Sequence, residues 1–297
     1  MRATLPCLPL ALVAALLLGA GASAEPLAID HPPAPDSTAR APVAADTVWL
    51  PTEPGRRWTY VYERERTRIV EGSEEVRETL RGTRVDQVMG PAPEFGPESV
   101  LIESLLRGQV EGQPTETVER RKSFVEASAG SLLVLAREAP SPLGGEPELA
   151  RFVPPLALLP PGLGVAQGRK WRVGVEEASG LRSEVRGEIL GLQDAQTPAG
   201  LFEKCLVVRY TADITGVIDL YGDRIEVREG RGVTTAWYAA GVGQVLAKEE
   251  LDQTLELSNG STIQVREQIE FALRELWLPR EPPAPAPEAP ADSLSTP

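Results

Sequence analysis

The chain has 297 residues, 30 Lys and Arg against 43 Asp and Glu, and a formal net charge of −13. One histidine and two cysteines leave no His-dependent catalytic triad and no imidazole or paired-thiolate zinc site. The acidic balance disfavours nucleic acid and anionic membrane surfaces as partners.

In chain order, residues 1–24 read as a signal peptide. Arg2 is followed by an apolar run from Leu5 to Leu18, too short to span a bilayer, and Ala22-Ser23-Ala24 supplies small residues for cleavage after Ala24. Cys7 lies inside the run, without a preceding lipobox, so no lipid anchor is expected on it. The expected location is the periplasm or the cell exterior, with the mature chain soluble. No later apolar stretch approaches 18 residues, so no transmembrane segment is expected there. Residues 25–45 are a Pro-rich linker that holds the only histidine, His31, and residues 279–297 are a Pro/Ala-rich tail. Neither can bury enough apolar surface to offset its ordering entropy.

Residues 46–278 alternate apolar and polar with period two, which predicts half-buried antiparallel strands. Trp58, Tyr60 and Tyr62 share a face. Trp171, Val173 and Val175 form a second set, and Leu206, Val208 and Tyr210 a third. Ile263, Val265, Ile269, Phe271 and Leu273 form a fourth. Ser258-Asn259-Gly260-Ser261 predicts a hairpin turn with positive φ at both central residues. Residues 151–164 are apolar but carry four prolines. They are expected to be an extended segment laid against the core, across the mouth of the curved sheet, neither helix nor central strand.

The domain repeats itself, with halves at about 46–137 and 150–278. Gly55-Arg56-Arg57-Trp58 recurs as Gly168-Arg169-Lys170-Trp171, and Arg81-Gly82 as Arg186-Gly187. The segment Phe95–Ile102 is echoed by Gly200–Val207. The predicted fold is all-β: an antiparallel curved sheet or half-barrel built from two similar meanders.

Three motifs carry a resemblance. They are the Leu-Pro and Gly-Arg-x-Trp strand starts, Thr197-Pro198-Ala199-Gly200-Leu201-Phe202, and Trp237-Tyr238-Ala239-Ala240-Gly241-Val242-Gly243. Together they resemble the exported bacterial family called TapB-like. Its architecture is similar to that of LolA/LolB-type lipoprotein carriers, whose curved sheet has an apolar interior. The resemblance implies a β half-barrel of the cell envelope and supplies no catalytic residues.

No serine-hydrolase, β-lactamase or P-loop motif occurs, and no catalytic residue, metal site or cofactor is assigned. Cys205 reads as core. Gly241-Val242-Gly243 reads as a turn between two strands, with Trp237 as its aromatic plug. The even face of the first strand runs Trp58, Tyr60, Tyr62, Arg64, Arg66, Arg68. It reads either as an aromatic groove with a cationic rim for an anionic amphiphile, or as a strand whose arginines pair with acids such as Glu74, Glu75 and Glu78. The candidate binding residues are Trp58, Tyr60, Tyr62, Arg64, Arg66, Trp171, Trp237 and Tyr238. Two functions are expected, neither an enzyme. One is a binder of a lipid, acyl chain or lipoprotein, marked by an unfilled apolar cavity. The other is a structural or protein-interaction module of the envelope, marked by a filled core and an exposed apolar patch.

Overall fold

The computed structural model describes residues 47–140, 146–178, 180–220 and 223–279. The predicted signal, the 25–45 linker and the tail beyond Pro279 lie outside the described residues. The described chain forms twelve strands and no helix. The first six are β1 (Arg57–Val70), β2 (Val76–Pro91), β3 (Val100–Val110), β4 (Glu116–Ser128), β5 (Ser131–Ala139) and β6 (Glu148–Leu159). The second six are β7 (Lys170–Ala178), β8 (Leu181–Thr197), β9 (Gly200–Leu220), β10 (Asp223–Ala239), β11 (Gly243–Leu257) and β12 (Thr262–Trp277).

Each strand pairs antiparallel with its sequence neighbour, except at one place, and β12 returns to pair with β1. The two halves are therefore six-stranded meanders joined along β1 and β12. The expected half-barrel is a nearly closed ring, because β6 and β7, the two ladder ends, lie against each other without backbone pairing. Closure follows from the alternation: a one-sided apolar face is buried only when the sheet curls on itself.

The repeat is structural. Gly55 N donates to Val88 O and Val88 N to Arg56 O, just as Gly168 N donates to Ile189 O and Ile189 N to Arg169 O. These bonds also correct the alignment. Val88 stands where Ile189 stands, so the counterpart of Gly187 is Asp86, four residues from the expected Gly82. Gly187 faces Trp171, as Asp86 faces Trp58. Likewise Ile102 corresponds to Val208, not Val207, since each pairs with the Val88 or Ile189 of its half.

One pole of the ring is clasped. Thr47 O accepts Gly130 N from the β4–β5 turn, and the adjacent Val48 O accepts Gly241 N from the β10–β11 turn, on the opposite side of the ring. Two rims thus meet over one peptide. Trp49 is buried there. The Gly241-Val242-Gly243 turn is this docking point. Gly241 O also accepts from Arg56 Nη1 at 2.9 Å, and Val242 O accepts from Trp58 Nε1 at 2.6 Å. A Cβ on Gly243 would stand 3.2 Å from Trp58 Nε1.

Two expectations change in detail. The proline-bearing segment is not laid across a mouth. Its residues up to Leu159 are edge strand β6, whose pairing with β5 is interrupted around Pro154 and Pro155, where an edge tolerates proline. In the Asn259-Gly260 turn only Gly260 has positive φ, +81°. Asn259 instead uses its side chain, Oδ1 accepting Ser261 N, while Leu257 N closes a wider loop on Ser261 O.

A Cβ on Gly187 would lie 2.3 Å from the Trp171 ring. Gly187→Ala is expected to cost about 2–3 kcal/mol in urea unfolding, and Gly187→Ala with Trp171→Leu to recover most of it.

Candidate functional site

An eight-stranded barrel is just narrow enough for side chains to fill, so twelve strands leave more width than aliphatic side chains cover. The lumen solves this with long charged side chains between two apolar layers. Near the clasped pole lie Trp58, Tyr60, Tyr238 and Tyr210. Toward the other pole lie Leu181, Ile214, Ile225, Leu255 and Ile263.

Between them is an ionic layer. Arg66 Nε donates to Glu267 Oε2 at 2.5 Å, and both side chains are buried. The two residues face each other directly across β1 and β12. Arg84 pairs with Asp86 at 2.8 Å on β2, and its guanidinium lies over the rings of Tyr60 and Phe271. Arg137 of β5 reaches Glu176 of β7 at 3.2 Å, across the unpaired joint. Glu249, on β11, feels Arg84, Arg121 and Arg137 from the facing wall. Burial dominates, and with help from the Glu267 carboxylate it lifts the Glu249 carboxyl to about 8 against the pull of those arginines. Burial likewise raises Glu176, with Arg137 opposing.

Several polar atoms in this layer have no hydrogen-bond partner among the described protein atoms. They are Glu249 Oε1, Glu267 Oε1, both amide atoms of Gln253, and Arg66 Nη2. Gln253 is 1% exposed. These residues lie on the inner faces of three adjacent strands, β11, β12 and β1.

Seven of the eight candidate residues line the lumen. Tyr60 OH donates to Gln244 O at 3.0 Å, and Tyr238 shares a hydrogen bond with Tyr210 at 3.3 Å. Burial raises the Tyr238 phenol to about 12, so it stays protonated. Tyr62 stacks on Phe271 at 5.6 Å. Trp171 donates from Nε1 to Ala157 O at 2.8 Å. Trp237 is separate: it is half-buried on the outer face, out of phase with Ala236 and Tyr238. The aromatic and arginine row of β1 is thus part of the packed interior. Arg64 and Arg68 both reach Glu78 at 3.6 Å, the second of the two arrangements expected for this strand.

Two cavities matter. One, about 10 Å³, is internal, beside Arg137, Glu176, Leu156, Val173 and Tyr210. It has room for about one water. The other is a depression of about 530 Å³ on the outer surface of β2, β1, β12, β11 and β10. It carries Arg77, Arg231 and Arg266 together with Glu65, Glu250 and Asp252, and the one ion pair within it joins Arg266 to Asp252 at 3.7 Å.

Sequence reasoning missed Glu249, Gln253 and Glu267. The signal was present: each occupies an in-phase inward position, between Ala247, Leu251 and Leu255 or between Val265 and Ile269. A polar residue that keeps the apolar phase is a buried polar residue.

No protein family matches the sequence, and no curated protein does. Among solved structures, a candidate lipoprotein from Parabacteroides distasonis is similar at 14% identity and a TM-score of 0.35, over 78% of this chain and 99% of that one. A variant of the Rh. blastica porin is similar at 8% identity and a TM-score of 0.27, over 72% and 99%. At these scores neither likeness carries an argument about this chain, and the TapB-like resemblance gains no family match.

Two outcomes are expected. Glu267→Leu alone strands the Arg66 guanidinium and should cost ~3–5 kcal/mol in denaturant unfolding, whereas Arg66→Met with Glu267→Leu should recover most of that loss. For Glu249 the folded state keeps a proton that the unfolded state releases above about pH 4.5. Stability therefore falls as pH rises from about 4.5 to about 8 and levels off above it. Glu249→Gln should flatten that slope and exceed the parent's stability at pH 9, by an amount on the order of 4 kcal/mol. Parallel pH curves for the two proteins would contradict this.

Proposed function

We propose that the chain is an exported, non-enzymatic binding module that engages an envelope protein on the outside of its barrel. The observation carrying this reading is the contrast between the two cavities. The internal one is water-sized, whereas the large concavity is external and lined by charges of both signs. Such a surface suits another folded protein of mixed charge, because opposite charges across an interface fix register and exclude wrong partners. Export rests on the signal-like start, Arg2 to Ala24. The outer faces of β1, β2, β11 and β12 carry Glu63, Arg81, Lys248 and Glu270 among their exposed or half-exposed residues, which supports a barrel surrounded by water.

Charge reversal tests the reading. Arg77→Glu, Arg231→Glu and Arg266→Glu together should leave the unfolding midpoint within a few degrees. They should remove the partner recovered by in-cell cross-linking to the native protein. An unchanged cross-link would place recognition elsewhere.

A second reading, an amphiphile held in the lumen, is favoured by the β6–β7 joint, where the inner wall is apolar and no backbone ladder holds it shut. Native mass spectrometry of residues 25–297, purified from a bacterial periplasm, tests it. A stoichiometric amphiphile supports this reading, and a bare protein after incubation with envelope lipids removes it.

A further inference from the structure

Eleven of the twelve joints in the ring are backbone ladders, and the twelfth, between β6 and β7, is not. Four side-chain contacts fasten it instead. Trp171 Nε1 donates to Ala157 O at 2.8 Å, and Tyr210 OH donates to Leu158 O at 3.2 Å. Arg137 and Glu176 pair across it at 3.2 Å. Leu156 packs over Gly174, where an added Cβ would lie 2.6 Å from its Cδ2. Two of these contacts occupy β6 carbonyls, Ala157 O and Leu158 O. β6 is also held loosely on its other side, with its pairing to β5 broken around Pro154 and Pro155 and Val153 94% exposed.

A joint of this kind parts without unzipping a ladder. Parting costs two neutral hydrogen bonds, one ion pair and local packing, whereas opening any other joint breaks a row of backbone bonds. The wall behind it is apolar, formed by Leu156, Leu158, Val173, Val185 and Ala212, and the internal cavity lies there. Arg137 is held by Glu176 when the joint is shut, and Arg121 also acts on that carboxylate. Glu176 is almost wholly buried, so parting the strands returns its carboxylate to water and leaves Arg137 at the wall for another anion.

We propose that the β6–β7 joint is a lateral entrance for a single-chain amphiphile with a carboxylate or phosphate head. The chain lies along the apolar wall of β6 and β7, and the head takes the place of Glu176 on Arg137. This inference rests on the amphiphile reading, but the opening itself is measured without any ligand.

The test places single thiols in a Cys205→Ala background, because Cys205 is the only cysteine among the described residues. Val173→Cys reports the joint, and Leu255→Cys, buried in the β11 wall, reports global opening. Under native conditions a small thiol reagent should modify the Val173→Cys site at least about 100-fold faster than the Leu255→Cys site. Trp171→Phe should accelerate the first further and leave the second unchanged. Where Val173→Cys does not fold, Leu158→Cys on the opposite lip serves the same purpose. Equal rates with equal urea dependence at both sites would overturn the entrance. Oleate or dodecyl phosphate should then slow labelling at the joint alone, and Arg137→Gln should abolish that protection. Selective labelling with no protection by either probe would overturn the ligand assignment. Bound lipid in native mass spectra with unselective labelling would overturn the entrance while leaving the amphiphile reading intact.

Discussion

The width of a twelve-stranded ring is the constraint from which the rest of this structure follows. Aliphatic side chains alone fill a narrower barrel than this one, so longer side chains take part of the interior. Here the long side chain is arginine, with carboxylates from neighbouring strands to receive it. The choice has a thermodynamic cost, because charges withdrawn from water return little net stability even when paired. It brings order in exchange. An Arg66 that must meet Glu267 fixes the register of β1 on β12, the one pairing that joins the two ends of the chain. A slip of β1 by one residue would turn Arg66, and the apolar row of β1 with it, to the outside.

Closure is achieved in three different ways. The chain ends are joined by a long ladder between β1 and β12. The clasped pole is drawn together by two adjacent carbonyls, Thr47 and Val48, which reach turns on opposite sides. The middle of the chain is joined only by side chains, at β6 and β7. The proline pair in β6 and the indole of Trp171 on Ala157 consume or remove ladder groups that a foreign strand would need at this edge.

Much of this was legible in the residues. Period-two alternation gave the strands, and the two Gly-x-x-Trp starts marked the two halves, because each glycine forms the same hydrogen bond to the next strand. The aromatic row of β1 was rightly placed on one face. What could not be read was the destination of that face. Alternation says that one side is buried but not how many strands enclose it, so a half-barrel and a ring look alike. The echo of Gly82 in Gly187 misled for a related reason: identical residues matched where the true counterpart of Gly187 is Asp86, a change from a small residue under an indole to an acid facing an arginine. The buried layer was hidden because Glu249, Gln253 and Glu267 look like surface residues until their phase is compared with their neighbours. Trp237 was misplaced by proximity to Tyr238, although consecutive residues of a strand face opposite ways.

The ring also makes the position of the chain ends arbitrary. Gly55 and Pro279 are close enough that a Cβ on Gly55 would lie 3.8 Å from the Pro279 ring, so the two ends of the domain emerge side by side. The only interruption of the ladder falls in the middle of the sequence, at the loop between Leu159 and Lys170. A gene that opened the chain in that loop and joined its old ends by a short linker would encode all eleven ladders in unbroken succession, from β7 through β12 and β1 to β6. In such a permuted protein the two termini would flank the seam, and the natural chain would be recognisable as one of two equivalent ways of cutting the same circle.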